Sequence, residues 1–235
     1  SMTLLVHAKQ AADGWLFSTY MGASVSMENQ VAFHFEDRSD QVFKANWRNR
    51  SFTDSHWWSA KLDRWNGDNV NGFELIHHKI YLANPNDVVQ SFSISDGYNL
   101  FYYNFGRKFD DHILRLGLGV IFAHPDVQIQ GRDHYIVKGT KGHHLAGPTV
   151  QLGYERWLWD NETNFVSLDT KLTFSYAKSP ISPNKKEYAV VPDVAFHISI
   201  GVGNKPQALA GTWQDKAKYA IPFFYPYVIG NYFLG

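Results

Sequence analysis

The residues best suited to chemistry are histidines next to charged side chains. His77-His78 lies between Glu74 and Lys79, and imidazole beside carboxylate and ammonium groups is the material of general acid–base catalysis. These two histidines are the catalytic candidates of the chain. Consecutive residues of a strand point to opposite faces, so the pair cannot chelate one metal ion from a regular strand. Glu74 and His78 share a face but lie ~13 Å apart along it, too far to touch. Structural pairing is the simpler reading of both. His143-His144 follows a Lys-Gly-Thr-Lys-Gly run; two histidines are too few for a closed zinc site, and a solvated loop is expected. His197 has Asp193 and Ser199 on its own face, but Asp193 stands too far along the strand, so any hydrolytic partner must come from another strand. No metal or other cofactor is expected.

These residues sit in segments that alternate apolar and polar at period two, separated by Asp, Asn, Gly and Pro clusters. From Asn164 to Tyr176, Val166, Leu168, Thr170, Leu172, Phe174 and Tyr176 form one face; Ser167, Asp169, Lys171, Thr173 and Ser175 form the other. The same rule sets Leu114, Leu116, Leu118, Val120 and Phe122 against Arg115, Gly117 and Gly119. It sets Val150, Leu152 and Tyr154 against Gln151, Gly153 and Glu155. It also sets Val194, Phe196, Ile198, Ile200 and Val202 against Asp193, Ala195, His197, Ser199 and Gly201. Further strands are read at Gly14–Val25, Val31–Phe35, Gln41–Arg48, Trp57–Trp65, Gly72–Leu82 and Ser91–Lys108, the last bending at Asp96-Gly97. About ten strands are expected, with a range of eight to twelve. Residues 125–146 read as a long extracellular loop and Gly203–Lys218 as loop or short helix. Pro222 and Pro226 break the last aromatic stretch.

The 235 residues form one domain in this reading. With no cysteine, disulfides, thiol nucleophiles and Cys-ligated zinc are excluded. A formal net charge of zero argues against nucleic acid as a partner. No apolar run reaches the ~20 residues of a membrane helix. The 8 Trp, 13 Tyr and 17 Phe suit the aromatic girdles of a membrane barrel. Ser1-Met2 reads as the scar of a cleaved tag, and a signal peptide is expected to have been removed.

Two closed barrels share this alternation: a soluble lipocalin-like carrier with its apolar face inward, and a membrane barrel with that face outward. Small residues on the polar face (Gly117, Gly119, Gly153, Ala195, Ser199, Gly201) favour the second, because they make room in a narrow lumen. The polar face also mixes signs: Lys44, Arg48, Lys61, Asp63, Arg115, Glu155, Asp169, Lys171 and Asp193 could pair across a lumen. Glu74, Arg115, Glu155, Asp169, Lys171, Asp193 and His197 are accordingly expected to form a luminal or ligand-binding network. The fold expected is an all-β, antiparallel, up-and-down transmembrane barrel with its lumen filled by polar side chains.

The rhythm of strands and turns resembles small outer-membrane β-barrel proteins of Gram-negative bacteria. One stretch, Ile76 to Asp87 followed by Ser91-Phe92-Ser93, is similar to the active-site strand of lipid A 3-O-deacylases. In that family a His and a Ser two residues later join an acid in a hydrolytic triad. Here Lys79 follows His77 at that spacing and Ile80 follows His78, so the nucleophile is missing. Outer-membrane barrels also end on an aromatic residue, whereas this chain ends Phe233-Leu234-Gly235.

The resemblance implies an integral outer-membrane protein of the bacterial envelope, monomeric, with outer-membrane lipid and lipopolysaccharide as partners. A non-enzymatic role, structural or in binding or passing a small molecule, is the expectation. A lipid A or phospholipid acyl hydrolase using His77 or His78 is the first alternative and the soluble carrier the second.

Overall fold

A computed structural model describes residues 13–53, 56–137, 139–161 and 163–205. The readings made for Ser1-Met2, for most of Gly203–Lys218 and for the proline-broken final stretch lie outside the described residues.

Twelve strands form in chain order: β1 (Gly14–Ser26), β2 (Asn29–His34), β3 (Gln41–Ala45), β4 (Trp47–Arg48), β5 (Trp58–Asn66), β6 (Asn69–Leu82), β7 (Val89–Phe109), β8 (His112–Ile129), β9 (Tyr135–Ile136), β10 (His144–Asp160), β11 (Asn164–Pro180) and β12 (Tyr188–Asn204). A single 3₁₀ turn, Gly139–Gly142, is the helical content among the described residues. Eight strands make a closed antiparallel ring in the order β1-β5-β6-β7-β8-β10-β11-β12. The seam pairs β1 with β12 from Phe17↔Asn204 to Ser26↔Ala195, so the ring has no free edge to template aggregation.

The ring therefore has eight members, at the lower end of the expected range. β2, β3, β4 and β9 account for the difference. They are short pieces added at one end: β2 pairs the top of β12 and then β3, β4 pairs the end of β6, and β9 pairs the end of β8.

The two ends differ. At one, β5–β6 and β7–β8 turn through only residues 67–68 and 110–111, with Gly67 (φ 57°) and Asp110 (φ 54°) in the left-handed region that a reversal this tight requires. At the other, the connections are longer and carry the extra strands. In outer-membrane barrels short turns face the periplasm and long loops the exterior.

The predicted loop at 125–146 is shorter than expected. β8 continues through Pro125 to Ile129, and β10 begins at His144. Pro125 is tolerated because it falls in a gap on one side of β8. Its ladder to β10 ends at Ala123 and its ladder to β9 begins at Asp126, so no bond to either strand needs the missing N–H. The bend expected at Asp96-Gly97 is a bulge in β7, where the register slips between Ile94 and Tyr98 and Gly97 has φ 133°.

Alternation puts the apolar faces outward. Leu62, Phe73, Phe101, Leu114, Leu116, Leu118, Leu152, Phe174, Ile198 and Ile200 are all exposed large hydrophobics, Ile200 at 59%. The charged side chains of the opposite face are buried. Such an exterior is stable against hydrocarbon, not water. The inverted, lipocalin-like arrangement with an apolar cavity is thereby overturned.

Candidate functional site

The interior is stacked in layers along the barrel axis. Near the short turns, Leu16, Trp65, Val70, Ile113, Trp157 and Phe165 form an apolar floor. Trp157 stacks on Phe165 with ring centroids 4.6 Å apart.

Above the floor lies a continuous charged layer. Arg115 donates to both carboxylate oxygens of Asp63 (3.1 and 2.8 Å) and to Glu155 (3.2 Å). Lys61 reaches Glu155 at 3.0 Å and Asp169 at 2.8 Å. Lys171 joins Asp169 to Glu74, the latter at 3.1 Å. Glu74 also accepts from Asn104 (2.9 Å) and Gln151 (2.7 Å), and the Tyr20 hydroxyl donates to Glu155 at 2.9 Å. Three cations thus face four carboxylates, all buried, and each carboxylate contacts at least one of the cations. The side chains come from β1, β5, β6, β7, β8, β10 and β11, so the network crosses the lumen rather than lining one wall. Charges removed from water this completely are tolerable only because each is paired and hydrogen-bonded.

A histidine layer follows. His78 accepts or donates through Nδ1 to Ser24 Oγ (3.1 Å) and through Nε2 to Asp193 Oδ2 (3.0 Å), with Ser26 Oγ at 3.4 Å. His197 Nδ1 accepts from Trp57 Nε1 at 3.1 Å, and its Nε2 lies 3.0 Å from Thr173 Oγ1. The two imidazoles meet edge to face at 5.1 Å. Over them, Val31, Phe33, Ala45, Ile80, Phe92, Ile94, Val127 and Ile129 close an apolar cap built partly by β2 and β3.

The structure therefore places the sequence candidates as follows. Glu74, Arg115, Glu155, Asp169 and Lys171 come together in one network; Asp193 and His197 stand in the next layer, each beside His78 and neither bonded to the other. His77 points to the other face, stacked on Trp58 (5.7 Å) and 2.9 Å from Asn99 Oδ1. His143 lies against His124 at 4.9 Å, and His144 opens β10. No cluster of metal-ligating side chains occurs among the described residues.

Ser24 and Trp57 were not among the sequence candidates for the site, and Lys61 and Asp63 were read only as members of the mixed-sign polar face. Alternation along β5 gave a signal for Lys61 and Asp63, because both sit on its polar face. Nothing local marked Ser24 or Trp57, whose partners are 54 and 140 residues away.

Chemically, Ser24, His78 and Asp193 have the types of a hydrolytic triad. His78 and Asp193 are fully buried, however, so no acyl carbon can approach them in this arrangement. What the lumen does by geometry is hold the wall strands together and block the axis.

No protein-family model and no curated protein sequence matches the chain. Among solved structures it is similar to Ail, the attachment invasion locus protein of Yersinia pestis (TM-score 0.46, 10% identity, 81% of this chain and 99% of that one). It is also similar to the outer membrane protein OprG from Pseudomonas aeruginosa (0.45, 11%, 82% and 96%) and to the outer membrane protein AlkL (0.47, 12%, 86% and 93%).

Proposed function

We propose that this chain is an integral outer-membrane β-barrel of a Gram-negative envelope, non-enzymatic, whose lumen is closed and whose working surface is its outer end. The observation that carries the reading is the charged layer, which joins seven of the eight wall strands through buried ion pairs and the hydrogen bonds of Tyr20 and Asn104, between an apolar floor and an apolar cap. A lumen of this size is readily filled by side chains. Prying the layer open would strand several charges in a medium of low dielectric. Small-molecule passage down the axis is not supported by such an interior; structural service, or binding at the outer rim, is.

Conductance in planar bilayers tests this. Purified protein inserted from detergent should give no steady conductance step. A reproducible, ohmic step would contradict a closed lumen and restore passage as the function.

The acyl-hydrolase reading keeps one specific support, the Ser24–His78–Asp193 contact. It requires an opening of the barrel that exposes His78. Changed acylation of lipid A in cells overproducing the protein, lost in His78→Ala, would favour it; unchanged lipid A removes it.

A further inference from the structure

Outside the lumen, one cavity of about 230 Å³ lies at the long-connection end, lined by Tyr135, Lys141, His143, His144, Lys178, Lys185 and Tyr188 among others. Its lining holds three lysines and no carboxylate. None of the three has an acidic partner among the described residues, whereas neighbouring Lys186 is paired with Glu36 at 3.5 Å. Lys178 sits 3.7 Å from the centroid of the Tyr188 ring, which fixes its ammonium at the cavity wall. His144 Nε2 is buried with no hydrogen-bond partner, a polar atom of the lining left unsatisfied.

The height of this cavity decides what it meets. On the outward face of β11, Phe174 and Tyr176 belong to the exposed apolar belt, and Lys178 follows two residues later, about 7 Å along the strand. Leu145, exposed at 63%, adjoins His144 on β10. The cavity thus opens where the apolar belt gives way to polar surface. In a bilayer that level is occupied by headgroups, and basic clusters there attract anionic lipid.

We propose that this cavity binds a phosphate monoester of a membrane lipid, more highly charged than the phosphodiester of a zwitterionic lipid such as phosphatidylcholine, held by Lys141, Lys178 and Lys185 with His144 as a further donor or acceptor. The assignment rests on the membrane placement proposed above. Phosphate is the shared chemistry of a lipid headgroup and of the free ion, and the position of the cavity beside the apolar belt favours the lipid.

The test uses the full chain in phosphatidylcholine nanodiscs, with insertion verified first by faster gel migration before boiling. Imidazole resonances of His143 and His144 are then followed as dilauroyl phosphatidic acid is added to the bilayer, and separately as inorganic phosphate is added to the buffer. Movement with phosphatidic acid is expected, and its loss in K141Q/K178Q/K185Q inserted equally well. Movement with both probes supports the site and shows that the phosphate group suffices. An inserted barrel unmoved by phosphatidic acid, or moved identically in the triple variant, overturns the inference while leaving the barrel intact. Failure to insert at all would instead overturn the membrane reading on which it rests.

Discussion

Arg115 and Asp63 meet through two parallel hydrogen bonds although their strands, β8 and β5, are not neighbours in the ring. The pair therefore ties together parts of the wall that the backbone ladder does not join directly. Both groups are almost wholly buried. Arg115→Ala leaves Asp63 and Glu155 short of a cation in a buried site, and a loss of about 3–5 kcal/mol is expected. Urea unfolding of barrels in lipid vesicles measures it. In the double variant Arg115→Met/Asp63→Leu the loss should be smaller than in Arg115→Ala, because one unpaired charge is removed as well.

The small residues of the lumen are predicted to differ sharply in tolerance. A Cβ on Gly201 would intrude on the ring of Tyr20, which packs under Lys61 and Glu155. A Cβ on Gly153 meets nothing closer than Arg115 Cβ, at 3.4 Å. Gly201→Ala should cost about 1–3 kcal/mol through overpacking, and Gly153→Ala much less. Equal losses in the same urea assay would contradict a specifically packed lumen.

Lipid exposure gives a prediction of opposite location. Leu152 pairs in register with Leu116 on the outer wall, and both are exposed, at 52% and 44%. Leu152→Arg should destabilise the barrel in vesicles by about 2–4 kcal/mol, the cost of a cation near the bilayer midplane. Indifference to this substitution would place Leu152 in water.

At the end that carries the longer connections, Arg132 clasps Glu187 with both terminal guanidinium nitrogens and also reaches Asp37, joining three connections. The hydrogen bonds from Arg132 hold Glu187 below its ordinary value of 4.5. A depressed carboxylate stabilises the fold fully above the unfolded value and loses that contribution as pH falls through the folded one. The loops should therefore become more susceptible to protease below about pH 4.5. Glu187→Gln should show that susceptibility already at neutral pH and little further change on acidification.

Much of this architecture was legible along single strands. The division of Asn164–Tyr176 into Val166–Tyr176 outward and Ser167–Ser175 inward follows from period-two alternation alone, as does the inward set Arg115, Gly117 and Gly119. What was not legible depends on ring closure. Ser24 reaches His78 only because β1 and β6 face one lumen. His197 finds Trp57 by the same closure. The extra strands were blurred for a different reason: β2 and β3 pack their inner residues into an apolar cap, so Val31 and Phe33 carry no signal that distinguishes a cap from a wall. The stretch 125–146 reads as loop because it is polar, and its ends are strand only because β8 runs on past Pro125, whose missing N–H falls in the gap between two ladders.

The apolar face looks outward from one closed barrel and the charges look in. Gel mobility of detergent-extracted protein, with and without boiling in SDS, tests it most directly. Faster migration of the unboiled sample is expected, because a closed ladder with a buried ion network resists SDS. A protein that stays soluble without detergent and migrates identically in both lanes would have its faces the other way round, with the apolar side chains inside.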